Sequence, residues 1–113
     1  MTNRQSWVLL VEDDPIFSLL FCRSWKTAFP HVPILVAESL AAMSQALSQA
    51  GSPPSLLIMD RTLPDGNGHD AAADLKIPSH CWSALGEGGT LPKPQGKPAL
   101  EASVQVLGSL IGV

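Results

Sequence analysis

The apolar run Trp7-Val8-Leu9-Leu10-Val11 stops abruptly on three acids, Glu12-Asp13-Asp14. A run of strand length without polar alternation suits a strand buried on both faces, as in a parallel sheet. Ser55-Leu56-Leu57-Ile58-Met59-Asp60 repeats the design, apolar until its last residue, a carboxylate. Parallel strands need long crossovers, usually helices, so two such strands constrain the chain to a layered α/β fold. In that architecture the functional crevice lies at the carboxyl ends of the strands, where both runs place their acids.

The intervening sequence supplies the helices. Asp14 can cap and Pro15 suits a first helical position, and Phe17, Leu20, Phe21, Trp25 and Ala28 follow on one stripe until Pro30. Val32 to Ala37 reads as a second strand, with Pro33 tolerable at its start on a sheet edge. Ser39 can cap a second helix carrying Leu40, Met43, Leu47 and Ala50 on one face, and Gly51 and Pro53-Pro54 end it. A turn-rich loop, Leu63 to Gly68, precedes a short helix over His69 to Lys76, which Pro78 stops. A fourth strand is expected over Cys81 to Leu85, a loop over Gly86 to Gly89, and a short last strand over Thr90 to Pro92. Leu100, Val104, Leu107 and Ile111 then share one face of a final helix. No repeat or long linker divides the chain, so residues 1–113 are expected to form a single domain.

Glu12, Asp13 and Asp60 converge if their strands are neighbours. Crowded carboxylates repel one another and need either raised pKa values or a cation. An all-oxygen, open site favours Mg²⁺, which keeps waters and pairs well with phosphate. Lys93, after the last strand, can bring an ammonium to the same rim. Carboxylates, a hard cation and a lysine together suit a phosphoryl group. Singly, each residue has a plainer reading: Asp60 as a turn former, Asp14 as a cap, Lys93 as a surface lysine. Their order along the chain favours the joint reading.

Three segments carry a resemblance. Val8-Leu9-Leu10-Val11-Glu12-Asp13-Asp14-Pro15, Met59-Asp60-Arg61-Thr62-Leu63-Pro64-Asp65-Gly66-Asn67-Gly68 and Lys93-Pro94 resemble, in order, the signature segments of response-regulator receiver domains (the CheY-like family). The resemblance spans nearly the whole chain. It implies a flavodoxin-like, doubly wound parallel sheet of five strands in the order 2-1-3-4-5. It also implies a two-component role, in which Asp60 takes a phosphoryl group from a histidine kinase or phosphotransfer protein and the signal passes to a downstream protein partner. By the same resemblance Asp13 binds Mg²⁺ directly, Glu12 assists, and the backbone carbonyl of Thr62 is a further metal ligand. Lys93 holds a phosphoryl oxygen, the Lys93–Pro94 bond is often cis, and Ser83 is the candidate switch hydroxyl beside the reading of it as a bystander. Such a domain promotes its own phosphorylation and dephosphorylation and is not an enzyme with a separate substrate.

Two departures stand out. Thr90 occupies the position of the family's aromatic switch residue. Only residues 61–92 separate Asp60 from Lys93, whereas a full set of intervening elements takes roughly 45 to 50 residues. The fourth helix is therefore expected to be absent or reduced to a loop. Its loss should leave apolar area near Trp82 uncovered, to be met by a partner or by a second copy in a homodimer.

Composition narrows the alternatives. The net charge of −3 lacks a basic footprint, so direct nucleic-acid binding is not expected. No apolar run approaches a membrane span, and Cys22 and Cys81 lack metal or disulfide spacing, which fits a reducing cytoplasm. Two rival functions remain: a pseudo-receiver that signals by protein contact without phosphorylation, and a small Mg²⁺-dependent phosphatase. The phosphatase reading is weakened by Thr62, which stands where such enzymes usually carry a second acid.

Overall fold

The computed structural model describes residues 6–83 and 91–112. Its first strand, β1 (Val8–Val11), is fully buried, as its uninterrupted apolar run requires. Helix α1 (Pro15–Ala28) starts on Asp14, whose carboxylate accepts the N–H groups of Ile16 and Phe17 at 3.0 and 3.3 Å. Strand β2 (Ile34–Ala37) begins two residues later than the apolar pattern suggested. Val32 instead joins the core, and its carbonyl accepts the buried indole N–H of Trp25 at 3.0 Å. Helix α2 (Leu40–Gln49) is capped by Ser39 and buries Met43. Strand β3 (Leu56–Asp60) ends, as expected, on its acid.

The segment after β3 is more ordered than a turn-rich loop. Strands β4 (Thr62–Leu63) and β5 (Gly66–Asn67) pair antiparallel as a small ribbon. Helix α3 (Gly68–Ala73) follows, capped by the Asn67 side chain on the Asp70 N–H. It starts before His69 and ends before Lys76, because Asn67 supplies an N-cap and the helix closes at Asp74, before Pro78 is reached. Strand β6 (Ser79–Ser83) starts two residues before the expected Cys81. Its lead-in, Ser79-His80, is polar and carried no apolar signal. Among the described residues, strand β7 (Leu91–Pro92) pairs with Trp82 and Ser83. Helix α4 (Lys97–Leu110) closes the described chain and buries Leu100, Val104 and Leu107.

Strands β1, β2, β3, β6 and β7 form one parallel sheet in the order β2-β1-β3-β6-β7. Counting main-sheet strands alone, this is the doubly wound order 2-1-3-4-5. Strand alternation divides the core. Val8, Leu10, Ile58 and Trp82 face α1 and α4, while Leu9, Val11, Leu57 and Met59 face α2 and α3. The described residues contain four helices, and α4 takes the place of the family's last one. Residues 84–90, which join β6 to β7, lie outside the described residues, and with them the expectations for Ala84, Leu85, Gly86 to Gly89 and Thr90.

The expected exposure of Trp82 is corrected. Trp82 is 1% exposed, and its ring meets Phe17 and Phe21 of α1 edge-on at centroid separations of 5.6 and 5.8 Å. Its side chain points to the α1 side of the sheet, where the domain's own aromatic residues cover it. The Lys93–Pro94 bond is trans, contrary to the isomer common in the family.

Candidate functional site

Parallel pairing brings the carboxyl ends of β1, β3 and β7 to one edge of the sheet, and their terminal residues with them. Glu12 continues β1: its N–H donates to the Ala37 carbonyl of β2 at 2.8 Å, which directs its side chain inward. Asp13 and Asp14 follow, the first toward the crevice and the second as the cap of α1. One carboxylate oxygen each from Glu12, Asp13 and Asp60 lies within 4.8 Å of the others. The expected convergence of these acids is therefore present.

Lys93 follows β7 and is held by a backbone hydrogen bond from its N–H to the Ser83 carbonyl at 2.8 Å. Its Nζ lies 2.5 Å from Glu12 Oε1 and 3.3 Å from Asp60 Oδ2. The other oxygens are also engaged. Glu12 Oε2 accepts the Asp14 N–H at 3.1 Å, and Asp60 Oδ1 accepts the Thr62 N–H at 3.2 Å. Thr62 thus meets Asp60 through its backbone, while its side chain is exposed.

Glu12 has no side-chain exposure. Burial pushes its carboxyl above the ordinary value, against the opposing pull of Lys93 and the Asp14 N–H. For Lys93, burial acts to lower the pKa, but the Glu12 and Asp60 carboxylates outweigh it and hold the ammonium charged. The lysine thus offsets part of the carboxylate repulsion.

Ser83 ends β6, one position beyond the register partner of Asp60, and is buried. It stands at the carboxyl end of the sheet, on the same edge as Asp60. Arg61 and Thr62 leave β3 together, and the Arg61 N–H donates to the Trp82 carbonyl at 2.8 Å. Gly68 packs so closely on the Asp60 carbonyl that a Cβ there would overlap it.

Two contributors escaped the sequence reading. The apolar spacing of α1 places Phe17 only on its core stripe, yet Lys93 Nζ sits 4.3 Å from its ring centroid, a cation–π distance. Asp65 was one letter of a turn-rich segment, yet its carboxylate reaches the first amides of α2. The position of Phe17 immediately after the acids was the available signal for the first. Nothing local signalled the second.

The carboxylate set suits a hard divalent cation, because its donors are all anionic oxygen and one of them, on Glu12, is already desolvated. Comparison with known proteins finds no matching family model and no matching curated protein. Solved structures do match. The Mn²⁺-bound form of the response regulator Rcp1 is 23% identical, with a TM-score of 0.76 and 92% of each chain covered. The phosphorylated cyanobacterial phytochrome response regulator RcpA is 18% identical, with a TM-score of 0.78 over 94% of this chain and 93% of that one. The non-phosphorylated receiver domain of HemR from Leptospira biflexa is 21% identical, with a TM-score of 0.71 over 96% and 95%. The chain has the fold of response-regulator receiver domains.

Proposed function

We propose that this chain is a phosphoacceptor receiver domain of a two-component system, one domain over residues 1–113, with Asp60 as the acceptor. The observation that carries the reading is the convergence of Glu12, Asp13, Asp60 and Lys93 at the carboxyl edge of a receiver-type sheet. Of the two carboxylates in contact with the ammonium, Asp60 is the one whose side chain is open to solvent, 15% exposed against none for Glu12. The donor would be a phosphohistidine on a histidine kinase or phosphotransfer protein. A bond forms from an Asp60 carboxylate oxygen to phosphorus as the N–P bond breaks. The electron pair returns to the ring nitrogen, and the phosphohistidine, protonated on its other nitrogen, leaves as neutral imidazole.

Glu12, Asp13, Asp60 and the Thr62 carbonyl would hold a divalent cation, with Mg²⁺ the proposed ion. When bound, it supplies positive charge that lowers the cost of bringing a phosphoryl dianion among carboxylates. Lys93 neutralises charge on the phosphoryl oxygens from the other side, and Phe17 supports its ammonium. Ser83 would offer its hydroxyl to the new phosphoryl group. Exposed Ile16, Leu19 and Leu20 on α1, beside the acids, form an apolar surface suited to the donor or to a downstream partner. Trp82 is covered by α1, so a homodimer would bury the opposite face of β6. The domain is proposed to work in the cytoplasm; no described helix is long and apolar enough to cross a membrane.

The test is intact-mass analysis after acetyl phosphate and Mg²⁺. A gain of one phosphoryl group is expected, lost in Asp60→Asn and strongly reduced in Asp13→Asn. A folded wild-type protein that takes no label would favour a pseudo-receiver, and undiminished labelling of Asp60→Asn would refute the acceptor assignment. Turnover of a generic phosphomonoester would favour a phosphatase.

A further inference from the structure

We infer that Asp65 is a positioning residue for the Asp60 carboxylate, acting from the amino end of α2 through the β4–β5 ribbon. The inference rests on the reading of Asp60 as the working carboxylate.

Asp60 is oriented by two contacts on different oxygens, the Thr62 N–H on Oδ1 and Lys93 Nζ on Oδ2. The first depends on where Thr62 lies. Thr62 opens β4, and the ribbon ties Thr62 to Asn67 and Leu63 to Gly66. The tip of that ribbon is Pro64-Asp65. There the two Asp65 carboxylate oxygens accept separate amides: Oδ1 takes the Leu40 N–H at 2.8 Å, and Oδ2 takes the Ala41 N–H at 2.9 Å. Two bonds on two oxygens fix the plane of the carboxylate as well as its distance.

The contact is specific to the ribbon. Ser39, the local cap of α2, satisfies the Ala42 N–H at 3.0 Å, which leaves the two preceding amides for a partner 25 and 24 positions away. A Cβ at Gly66 would lie 2.8 Å from Leu40 Cδ1, so the ribbon tip and the start of α2 are in contact. These amides hold the Asp65 carboxyl below the usual carboxylate range, so the clamp is ionised at neutral pH. The Asp65 side chain is solvent-exposed, so its truncation opens no core cavity. What it loses is the fixed end of a short lever whose other end orients Asp60.

The experiment compares wild type, Asp65→Ala, Asp65→Asn, Ser39→Ala and Asp13→Asn. Mn²⁺ binding is followed by the electron paramagnetic resonance of the free ion, and Thr62 amide exchange by NMR without metal. Asp65→Ala is expected to weaken Mn²⁺ binding about tenfold, as loss of a ligand-orienting partner does. Thr62 exchange should accelerate in the same variant. Asp65→Asn, which keeps one acceptor oxygen, should be intermediate. Ser39→Ala weakens the start of α2 without touching the ribbon, and should change neither readout. Equal effects in Ser39→Ala and Asp65→Ala would reduce Asp65 to a helix cap and overturn the inference. Wild-type Thr62 exchange in Asp65→Ala would overturn it too. Mn²⁺ binding that survives Asp13→Asn, or is absent in wild type, would instead count against the metal reading, while Thr62 exchange still decides the role of Asp65.

Discussion

At the scale of single residues, the buried Glu12 carboxylate sets the largest electrostatic demand. Lys93 is the cation that meets it, at 2.5 Å. Lys93→Met should therefore destabilise the domain at neutral pH by about 3 kcal/mol, since removing one partner strands the other charge in a dry site. Urea unfolding measures this, and the double variant Lys93→Met/Glu12→Gln should recover most of the loss. The pH dependence has a definite sign. A carboxyl whose folded pKa is raised costs stability above that pKa, and the cost disappears below its unfolded value of 4.5. The Lys93→Met deficit should thus shrink on acidification. His80 gives a second titration. Burial against Trp82 lowers its pKa from 6.5, so the unfolded chain binds the proton first. Its contribution is complete above pH 6.5 and is lost as the pH falls from there through the folded value. His80→Phe should flatten that part of the stability profile.

At the scale of elements, close approaches between backbones decide which glycines matter. Gly68 begins α3 directly against the Asp60 carbonyl, and backbone cannot yield as a side chain can. Gly68→Ala is expected to cost about 2 kcal/mol by overpacking, whereas Gly51→Ala, with open space around it, should stay within about 0.5 kcal/mol. Equilibrium unfolding of the two variants side by side checks the contrast. Helix α1 shows the converse use of bulk. Phe17, Phe21, Trp25 and Phe29 form a row of rings, with centroid separations of 6.1, 6.3 and 4.9 Å. The row runs from the lysine of the site to Phe29, which packs over Gly108 of α4. Its apolar spacing was evident in the sequence, but its contact with Lys93 required β7 to be placed.

At the scale of the molecule, the short connection between β6 and β7 raised the question of what covers the sheet there. On the α1 side the answer is Trp82 itself, enclosed by Phe17 and Phe21. Trp82→Ala should cost about 3–5 kcal/mol, the usual range for emptying an enclosed aromatic site. Trp82→Phe should cost much less. Its ring fills part of the space, and it removes an indole N–H that has no hydrogen-bond partner among the described residues. Thermal or denaturant unfolding of both variants tests this, and similar losses in the two would show that the covering by α1 is not tight.

The sequence by itself determined the parts in which local chemistry is unambiguous. Val8 to Val11 and Leu56 to Asp60 have no polar alternation to accommodate on a solvated face, so their burial and parallel pairing followed. Leu100, Val104 and Leu107 could serve one face of one helix and nothing else. The acids at the strand ends, with Lys93 after the last strand, carried the candidate site, because strand direction fixes which edge they share. What only the tertiary structure decided lies between elements distant in sequence. The start of β6 at polar Ser79 depended on its pairing with Leu57 of β3, and the covering of Trp82 depended on which side α1 packs. The seat of Lys93 over Phe17 and the grip of Asp65 on Leu40 and Ala41 join positions that no local pattern relates. Such contacts arise from the geometry of the whole sheet, since a side chain's neighbours across a crossover are set by packing and not by its own propensity.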